Sequence, residues 1–292
     1  MNLDGATAER VRRILGSPVV RARAVTDRGY APNQRWVVRT GAGRSAFVKV
    51  ARAPLTASWL RAEHAVYSGL SAAFLPELLG WDDDGAEPLL VLEDLTDATW
   101  PPPWTRDSVD AVLRTLDEVH ATPLDLPVIG TDHHAAAGWP VVAEDPGPFL
   151  SLGLCSPAWL DRALPVLLEA ATPEALTGTA TLHLDVRSDN LCLRGGAAVL
   201  FDWNHAALGN PQLDVAFWLP SLHAEGGPRP EDVLDLDPAM AALVAGLFAA
   251  RAGLPPIPTA PRVRVVQRAQ LGTAMPWVVR VLDLPPPDGD PV

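Results

Sequence analysis

The segment 182–204 constrains the fold more than any other, because it predicts a β-hairpin that gathers oxygen ligands at its open end. Two short apolar runs flank Gly195–Gly196, a pattern typical of a tight hairpin turn. A three-residue loop places Asn190 directly opposite Asp202, whereas a two-residue loop shifts the pairing by one position. In either register the two residues are neighbours, since cross-strand partners lie roughly 5 Å apart.

Asp185 adds a second carboxylate to this place. It lies five residues before Asn190, at the end of the loop that leads into the first strand of the hairpin. Mg²⁺ is a hard cation that binds oxygen atoms, and two carboxylates with one amide oxygen form a suitable set. The sequence therefore predicts a site for Mg²⁺ where Asp185, Asn190 and Asp202 converge.

Lys49 is the only lysine among the 23 basic residues of the chain. It interrupts an apolar strand predicted over residues 45–50, where an ammonium group needs a partner. Glu63 lies in a helix predicted over residues 56–70 and can reach back to that strand. A half-buried strand end with a lysine extending to solvent gives the same pattern, so the sequence leaves both interpretations open.

Composition limits the class of protein. The 292 residues are 48% hydrophobic and contain no low-complexity tract, which predicts a globular fold in two lobes. The longest late apolar run, 240–250, is far below the roughly 20 residues of a membrane span, and no signal-peptide pattern opens the sequence, so we expect a cytoplasmic protein. The net charge of -12 argues against a nucleic-acid partner, which requires a basic surface.

The order of predicted elements indicates an α+β fold. Strands are predicted over 19–26, 35–40, 45–50, 78–81 and 89–92, with one helix between the third and fourth. Helices are predicted over 106–120, 158–170, 213–223, 238–251 and 262–282. We therefore expect two lobes: an antiparallel sheet with one helix in residues 1–95, and a larger, mainly helical lobe with an embedded β-hairpin in residues 96–292.

Several motifs occur in an order known from one family. The strongest are His183-x-Asp185-x-x-x-x-Asn190, Phe201-Asp202-Trp203 and the segment 209–218, which contains Asp214; weaker ones are Phe47-Val-Lys49, Glu63, 90–95 and 118–123. From about residue 29 to residue 222, the chain resembles the aminoglycoside phosphotransferases and choline kinase-like small-molecule kinases. The resemblance implies a bilobal protein-kinase-like fold.

The resemblance also implies a chemistry. It indicates transfer of the γ-phosphate of ATP or GTP to a hydroxyl of a small molecule, in the presence of Mg²⁺. Asp185 would aim the acceptor hydroxyl and accept its proton, while Asn190 and Asp202 would hold the metal. Lys49, held by Glu63, would contact the α- and β-phosphates.

Other positions are implied to bind the nucleotide or to support the loop. Asn33 stands where the family has its phosphate-covering loop, and it could donate to a phosphate or close a turn. Glu93 and Leu95 would line the purine edge, chiefly through backbone groups. His183 is expected to buttress the loop, and Asp214 to anchor it from beneath.

Two residues depart from the family pattern. Leu184 replaces the glycine that usually separates the histidine from the catalytic aspartate, and Asn204 replaces an acidic residue that often follows Asp-Trp. Both affect the conformation of the loop or the acceptor pocket, whereas the predicted base and metal ligands are present.

The acceptor is expected to be small. Eleven residues separate Asp202 from Asp214, which leaves no room for the activation segment of a protein kinase. Segments 121–157 and 218–227 are candidates for shaping the acceptor pocket. Three acidic side chains in them could meet an amino group of an aminoglycoside or another amino-bearing compound: Glu144, Asp145 and Glu225.

Two other classes of function are open at this stage. A catalytically weak nucleotide-binding module that regulates a partner is suggested by Leu184 and Asn204. A metal-dependent hydrolase would use His183 and Asp185 to bind zinc. The joint presence of the lysine, the base and both metal ligands disfavours the first, and the second lacks further histidines at ligand spacing.

Overall fold

A five-stranded antiparallel sheet, in the order β1-β2-β3-β5-β4, organises the amino-terminal part of the chain. The computed structural model describes residues 3–26 and 33–288. The strands are β1 Val19–Ala24, β2 Gln34–Thr40, β3 Ser45–Val50, β4 Leu78–Asp82 and β5 Leu89–Glu93. Each of these strands was predicted; β3 has the predicted bounds, β1 ends two residues earlier, and β2, β4 and β5 are each one residue longer than predicted.

Strand β3 determines which way Lys49 faces. Successive side chains of a strand point to opposite faces of the sheet. Ala46 and Val48 pack into one apolar cluster, whereas Phe47 lies against the larger cluster that continues into the helical part of the chain. Lys49 shares the parity of Phe47, so the strand directs its ammonium toward the space between the two parts of the molecule.

The amino-terminal part contains two helices, α1 Gly5–Leu15 and α2 Pro54–Gly69, rather than the one that was predicted. Helix α1 begins at Asp4, whose carboxylate accepts a hydrogen bond from the backbone N–H of Thr7. It buries Thr7 and Val11, packs Ile14 and Leu15 against the apolar cluster that contains Val48, and makes polar contacts such as that of Arg10 with Asp82 at 2.8 Å. Val11, Ile14 and Leu15 recur at helical spacing, a signal from which this helix could have been predicted.

The carboxy-terminal part is mainly helical. Its α-helices are α3 Arg106–Ala121, α4 Gly138–Glu144, α5 Gly147–Leu150, α6 Pro157–Ala170, α7 Gln212–Ala224, α8 Pro230–Val233, α9 Pro238–Ala252 and α10 Val263–Val281, with a 3₁₀ helix at Pro173–Leu176. The five longest correspond to the five predicted helices. Helices α4, α5 and α8 have seven residues or fewer, too short for a helical repeat to show in the sequence.

Two small β-structures are embedded among these helices. Strands β7 Leu191–Arg194 and β8 Ala197–Leu200 form the predicted hairpin, and β6 Ala180–Leu182 pairs with β9 Ala207–Gly209. Arg194 faces Ala197, so the loop has two residues, both glycines with positive φ as this turn requires. The backbone N–H of Phe201 donates to the carbonyl of Asn190 at 3.0 Å, which realises the register shifted by one position.

The predicted α+β architecture is confirmed: an antiparallel sheet precedes a larger helical part with an embedded hairpin. The division at residues 1–95 and 96–292 stays a prediction. Helix α9 is apolar on every side and lies at the centre of the helical part, against α4, α7 and α10. Within the described residues, no helix combines the length and the apolar character needed to cross a bilayer.

Close contact between α4 and α9 provides a test of this packing. A Cβ added to Gly138 would lie 2.2 Å from the carbonyl carbon of Gly246 and 2.5 Å from the backbone N of Leu247. Backbone atoms cannot move aside as a flexible side chain can, so we expect Gly138→Ala to lower the free energy of unfolding by about 1–3 kcal/mol. Urea denaturation measures this change.

Gly272 supplies the matched control. It lies inside α10, and an added Cβ would meet no atom within 4 Å. Gly272→Ala should therefore stabilise the protein, by about 0.5–1 kcal/mol, since alanine is the better helix former. Equal effects of the two substitutions would contradict the close helix contact.

Candidate active site

A buried lysine with two carboxylates forms the centre of the site. The Nζ of Lys49, on β3, lies 2.6 Å from Oε2 of Glu63, on α2, and 2.5 Å from Oδ1 of Asp202, which follows β8. Lys49 is 3% exposed and Glu63 2% exposed. The lysine therefore does not extend to solvent, and the structure brings together three residues that the sequence placed in one site.

Burial and charge oppose each other in this cluster. Burial alone would raise the pKa of Asp202, but the ammonium of Lys49 lowers it to about 2, so this carboxylate is ionised. Burial would likewise lower the pKa of Lys49, yet the charges of Asp202 and Glu63 raise it overall. The result is an ammonium between two carboxylates, which leaves the cluster attractive to a cation when both acids are ionised.

Asp185 lies in a network of hydrogen bonds beside the hairpin. The amide nitrogen of Asn190 donates to its Oδ2 at 2.7 Å and to its carbonyl at 2.9 Å. Arg187 approaches its Oδ1 at 2.9 Å and also donates to Oδ1 of Asp189 at 2.9 Å. The sequence analysis missed Arg187 and Asp189, and their nearness to Asp185 along the chain was the only signal for them.

The loop before Asp185 is held from beneath by Asp214, which is fully buried. Its carboxylate accepts hydrogen bonds from the backbone N–H of His183 at 2.9 Å and of Leu184 at 2.6 Å, and it lies 3.0 Å from Nε2 of His120. Asp214 therefore fixes the backbone of the loop that leads to Asp185.

His183 has both ring nitrogens engaged. Its Nε2 faces the carbonyl of Phe201 at 3.1 Å, and its Nδ1 lies 3.2 Å from the backbone N–H of Asp185. The ring is fully buried, and burial lowers the pKa of His183, so the imidazole is neutral. A neutral ring with both nitrogens occupied suits a supporting role.

The oxygens beside this loop fit a divalent cation. The amide nitrogen of Asn190 is committed to Asp185, and its Oδ1 accepts no hydrogen bond from any described residue. Oδ2 of Asp202 is likewise outside the contact with Lys49. One carboxylate and one amide oxygen, completed by phosphate oxygens and water, are a suitable set for Mg²⁺. Across the described ranges, no group of three or more His, Cys, Asp or Glu residues is placed to hold a metal.

A cavity of about 250 Å³ lies between the sheet and the hairpin. It is lined by Arg23, Val25, Arg35, Val37, Phe47, Lys49, Glu63, Pro76, Leu92, Glu93, Asp94, Leu95, Thr96, Trp100, Asp189, Asn190, Phe201 and Asp202. Apolar side chains and the charged cluster of Lys49, Glu63 and Asp202 both contribute to its lining. The sequence analysis missed the two arginines, which lie on strands whose facing only the fold reveals.

The two positions expected at a purine edge, Glu93 and Leu95, both line this cavity. Glu93 lines the cavity, but its carboxylate is held by Arg194 at 2.7 and 2.8 Å. The carbonyl of Leu95 accepts from Ala98 N–H at 3.0 Å and from the indole of Trp100 at 3.1 Å. The N–H of Leu95 donates to no described group, so this backbone donor is available to a ligand.

A second cavity, of about 300 Å³, lies on the other side of Asp185. Its lining residues are His133, His134, Leu184, Asp185, Val186, Arg187, His205, Phe217, Leu247, Phe248, Arg251, Val263, Val266, Gln267 and Gln270. Segment 121–157 therefore contributes two histidines, whereas 218–227 contributes none of the described lining residues. The walls come instead from α9 and α10.

Glu144, Asp145 and Glu225 do not line this second cavity. The carboxylate of Glu225 accepts hydrogen bonds from the indole of Trp104 at 2.8 Å and from the hydroxyl of Ser188 at 2.6 Å. The expectation that these three acids meet an amino group of an acceptor rested on the sign of their charge without their position, and it stays a prediction that the lining of this cavity does not support.

Comparison with known proteins decides the family. The model of the phosphotransferase enzyme family matches residues 26–257, which is most of the chain. The chain belongs to this family. The resemblance to aminoglycoside phosphotransferases and choline kinase-like enzymes is thereby confirmed. No curated protein sequence matches the chain significantly.

Solved structures agree on the fold of this phosphotransferase. A protein assigned as a fructosamine-3-kinase from Thermobifida fusca has a TM-score of 0.58 at 18% identity, over 94% of this chain and 100% of that one. A macrolide 2′-phosphotransferase from Brachybacterium faecium gives 0.53 at 15%, over 96% and 98%. A choline/ethanolamine kinase family protein from Mesorhizobium loti gives 0.53 at 16%, over 87% and 92%. The likeness shows the protein-kinase-like fold.

Leu184 adopts the backbone conformation that the usual glycine of the phosphotransferase family would favour, with φ of 61°. A left-handed conformation costs a non-glycine residue about 1–2 kcal/mol. The two hydrogen bonds that the backbone N–H groups of His183 and Leu184 donate to the carboxylate of Asp214 hold it there. The loop is therefore held in a conformation that a leucine would otherwise disfavour.

Asn204 contacts the carboxylate of Asp202. With the amide oriented to satisfy its neighbours, its nitrogen donates to Oδ1 of Asp202 at 3.1 Å and its oxygen accepts from Nε2 of His205 at 3.1 Å. An acidic residue at this position could not donate to Asp202. The substitution therefore adds a hydrogen bond to the cluster.

Asn33 is not among the residues that line the first cavity. Its Oδ1 is buried and accepts no hydrogen bond from the described part of the chain. The remainder of the expected phosphate-covering loop, 29–32, lies outside the described residues. A phosphate contact by Asn33 stays a prediction.

Proposed function

We propose that this phosphotransferase moves the γ-phosphate of ATP or GTP to a hydroxyl of a small molecule, with Mg²⁺ as the metal. One observation carries the proposal: two cavities meet at the contact between Asn190 and Asp185. Asn190 and Asp202 line the first cavity, Asp185 lines the second, and the two side chains that separate them are 2.7 Å apart. A donor in one cavity would therefore face an acceptor in the other.

The first cavity suits a purine nucleoside triphosphate. Val37, Phe47 and Phe201 offer apolar surface for the base, and the free N–H of Leu95 offers a donor to its edge. In the same cavity, the ammonium of Lys49 is fixed by Glu63 and is placed to contact phosphate oxygens. Backbone recognition of this kind suits both ATP and GTP, so the proposal includes both.

Asp185 is the residue we propose as the catalytic base. Phosphoryl transfer needs little covalent help from a protein, so the base mainly positions the acceptor hydroxyl and receives its proton as the transfer proceeds. The hydrogen bonds from Asn190 and Arg187 fix the orientation of this carboxylate. When bound, Mg²⁺ would neutralise phosphate charge beside Asn190 and Asp202.

The geometry argues against the two other classes of function. A zinc hydrolase would need a ring nitrogen of His183, but both are engaged and the ring is buried. A module without catalysis would not need Asp185 oriented toward the second cavity. We also propose a cytoplasmic location, where ATP and GTP are supplied.

Nucleotide binding is testable through thermal stability. We expect saturating Mg-ATP or Mg-GTP to raise the melting temperature of the wild type, because a ligand at 100 times its Kd adds about 2.7 kcal/mol of stability. Asp202→Ala should abolish the rise, since it removes a predicted metal ligand.

Asp117→Asn, an exposed change on α3, is the control and should respond as the wild type does. Scanning calorimetry with and without nucleotide measures both effects. Stabilisation of Asp202→Ala equal to that of the wild type would contradict the assignment, and stabilisation by Zn²⁺ alone would favour a hydrolase.

A further inference from the structure

The second cavity has a charge opposite to that of the protein as a whole. The chain has a net charge of -12, yet Asp185 is the only carboxylate among the described residues that line this cavity. Two arginines, Arg187 and Arg251, accompany it, together with three histidines. Asp185 is already contacted by Arg187. The remaining cation, Arg251, therefore sets the charge of the cavity.

Arg251 has no polar partner among the residues that the structure describes. It lies in the last turn of α9 and is partly buried, and no described residue makes a hydrogen bond or an ion pair with its guanidinium. The pKa of Arg251 is lowered, chiefly by burial and also by the nearby positive charge of Arg264. A partly buried guanidinium with five donors and no acceptor is suited to recognise an anion from the ligand.

Neighbouring groups add donors rather than acidic charge. Burial lowers the pKa of His133 and His134, and the positive charge of Arg251 contributes to both shifts, so the rings are neutral at pH 7. The side-chain oxygen of Gln267 accepts from Arg264 at 2.7 Å, which leaves its amide N–H groups uncommitted among the described residues. An anionic group at Arg251 would therefore meet further hydrogen-bond donors.

We propose that the acceptor is a small hydroxy compound with an anionic group, a carboxylate or a phosphate, that Arg251 binds while the hydroxyl faces Asp185. This inference rests on the phosphotransferase function proposed above. The acceptor oxygen forms a bond to the γ-phosphorus, the bond from that phosphorus to the bridging oxygen breaks, the hydroxyl proton passes to Asp185, and the nucleoside diphosphate leaves. A polycationic aminoglycoside would instead bring its ammonium groups close to the guanidinium of Arg251, and the like charges would repel each other.

The size of the cavity supports a small acceptor. At about 300 Å³ it lies at the lower end of ligand pockets, which span about 300–1,000 Å³. Apolar side chains of α9, α7 and α10 form the rest of the wall, among them Phe217, Leu247 and Val263. A short carbon chain between the hydroxyl and the anion fits such a wall.

Matched acceptors that differ mainly in charge test the proposal. One set is sorbitol, gluconate and glucamine; the other is glycerol, glycerate, glycerol phosphate and 2-amino-1,3-propanediol. Release of nucleoside diphosphate above the acceptor-free rate gives kcat/KM. In each set that is turned over, we expect an anionic member to be the best acceptor. Comparison of glycerate with glycerol phosphate then shows whether the site prefers a carboxylate or a phosphate.

Variants of Arg251 make the test specific. Arg251→Gln should lower kcat/KM for the best anionic acceptor by about 10-fold or more, chiefly through KM, and should change the neutral member by less than about 3-fold. Arg268→Gln is the matched control, because Arg268 donates to the carbonyl of Ala252 at the same helix end but does not line the cavity. Arg251→Lys keeps the charge and should retain part of the activity. It provides the test if Arg251→Gln fails to fold.

Several results would overturn the proposal without touching the proposed function. They are a neutral or cationic member as the best acceptor, an unchanged KM for the anionic acceptor in Arg251→Gln, and no turnover or thermal stabilisation by any anionic member in a protein that binds Mg-nucleotide. Absence of nucleotide binding by the wild type would instead contradict the phosphotransferase function itself.

Discussion

Asp185→Asn should slow phosphoryl transfer about 10²- to 10⁴-fold while nucleotide binding persists. The amide keeps the size of the carboxylate but cannot take the proton of the acceptor hydroxyl. Because Asp185 lines the second cavity and not the first, the donor site should remain intact. Steady-state kinetics with the best acceptor, together with the thermal shift by Mg-nucleotide, measures the two effects separately.

The hydrogen bonds of Asp185 make the second measurement necessary. Its carboxylate accepts from both Asn190 and Arg187, and an amide would present a donor to one of them. A shift of the loop would move Asn190 and weaken nucleotide binding as well. Asp117→Asn is the matched change at an exposed position and should leave both measurements unchanged. Near-normal turnover by Asp185→Asn would mean that another group positions the acceptor.

The cluster of Lys49, Glu63, Asn190 and Asp202 could be predicted because its parts are close in sequence. The glycine turn of the hairpin determines which residues meet, and either of the two expected registers brings Asn190 beside Asp202. Lys49 and Glu63 are only 14 residues apart, on a strand and the helix that follows it. Local pattern and strand parity are sufficient for contacts of this kind.

The acceptor side could not be predicted in the same way. Arg251 lies at the end of a helix that is buried on every side, and nothing in its surroundings along the chain relates it to Asp185. Its place in the cavity follows from how α9 packs against α4 and α10. The charge of Glu225 likewise does not reveal its position, since its carboxylate bonds to Trp104 and Ser188.

Lys49→Met should lower the free energy of unfolding by about 3–5 kcal/mol, because removing one partner leaves the opposite charges buried without compensation. Glu63 is 2% exposed, and the ammonium of Lys49 lies between its carboxylate and that of Asp202. The same substitution should abolish stabilisation by Mg-nucleotide, since the proposed phosphate contact is lost. Arg39→Met, at an exposed position of β2 that does not line the cavity, is the matched control and should change stability by less than about 0.5 kcal/mol.

A second substitution separates the charge effect from simple loss of packing. Oε1 of Glu63 accepts from the hydroxyl of Tyr67 at 3.2 Å and from the backbone N–H of Asp202 at 3.2 Å, and the amide oxygen of glutamine can keep both contacts. Lys49→Met combined with Glu63→Gln should therefore recover at least about 1–2 kcal/mol of the loss, as coupled sites in a double-mutant cycle do. Nucleotide binding should not recover, because the double variant still lacks the ammonium. Additive losses of stability would show that Lys49 acts through packing and not as the counter-charge of Glu63.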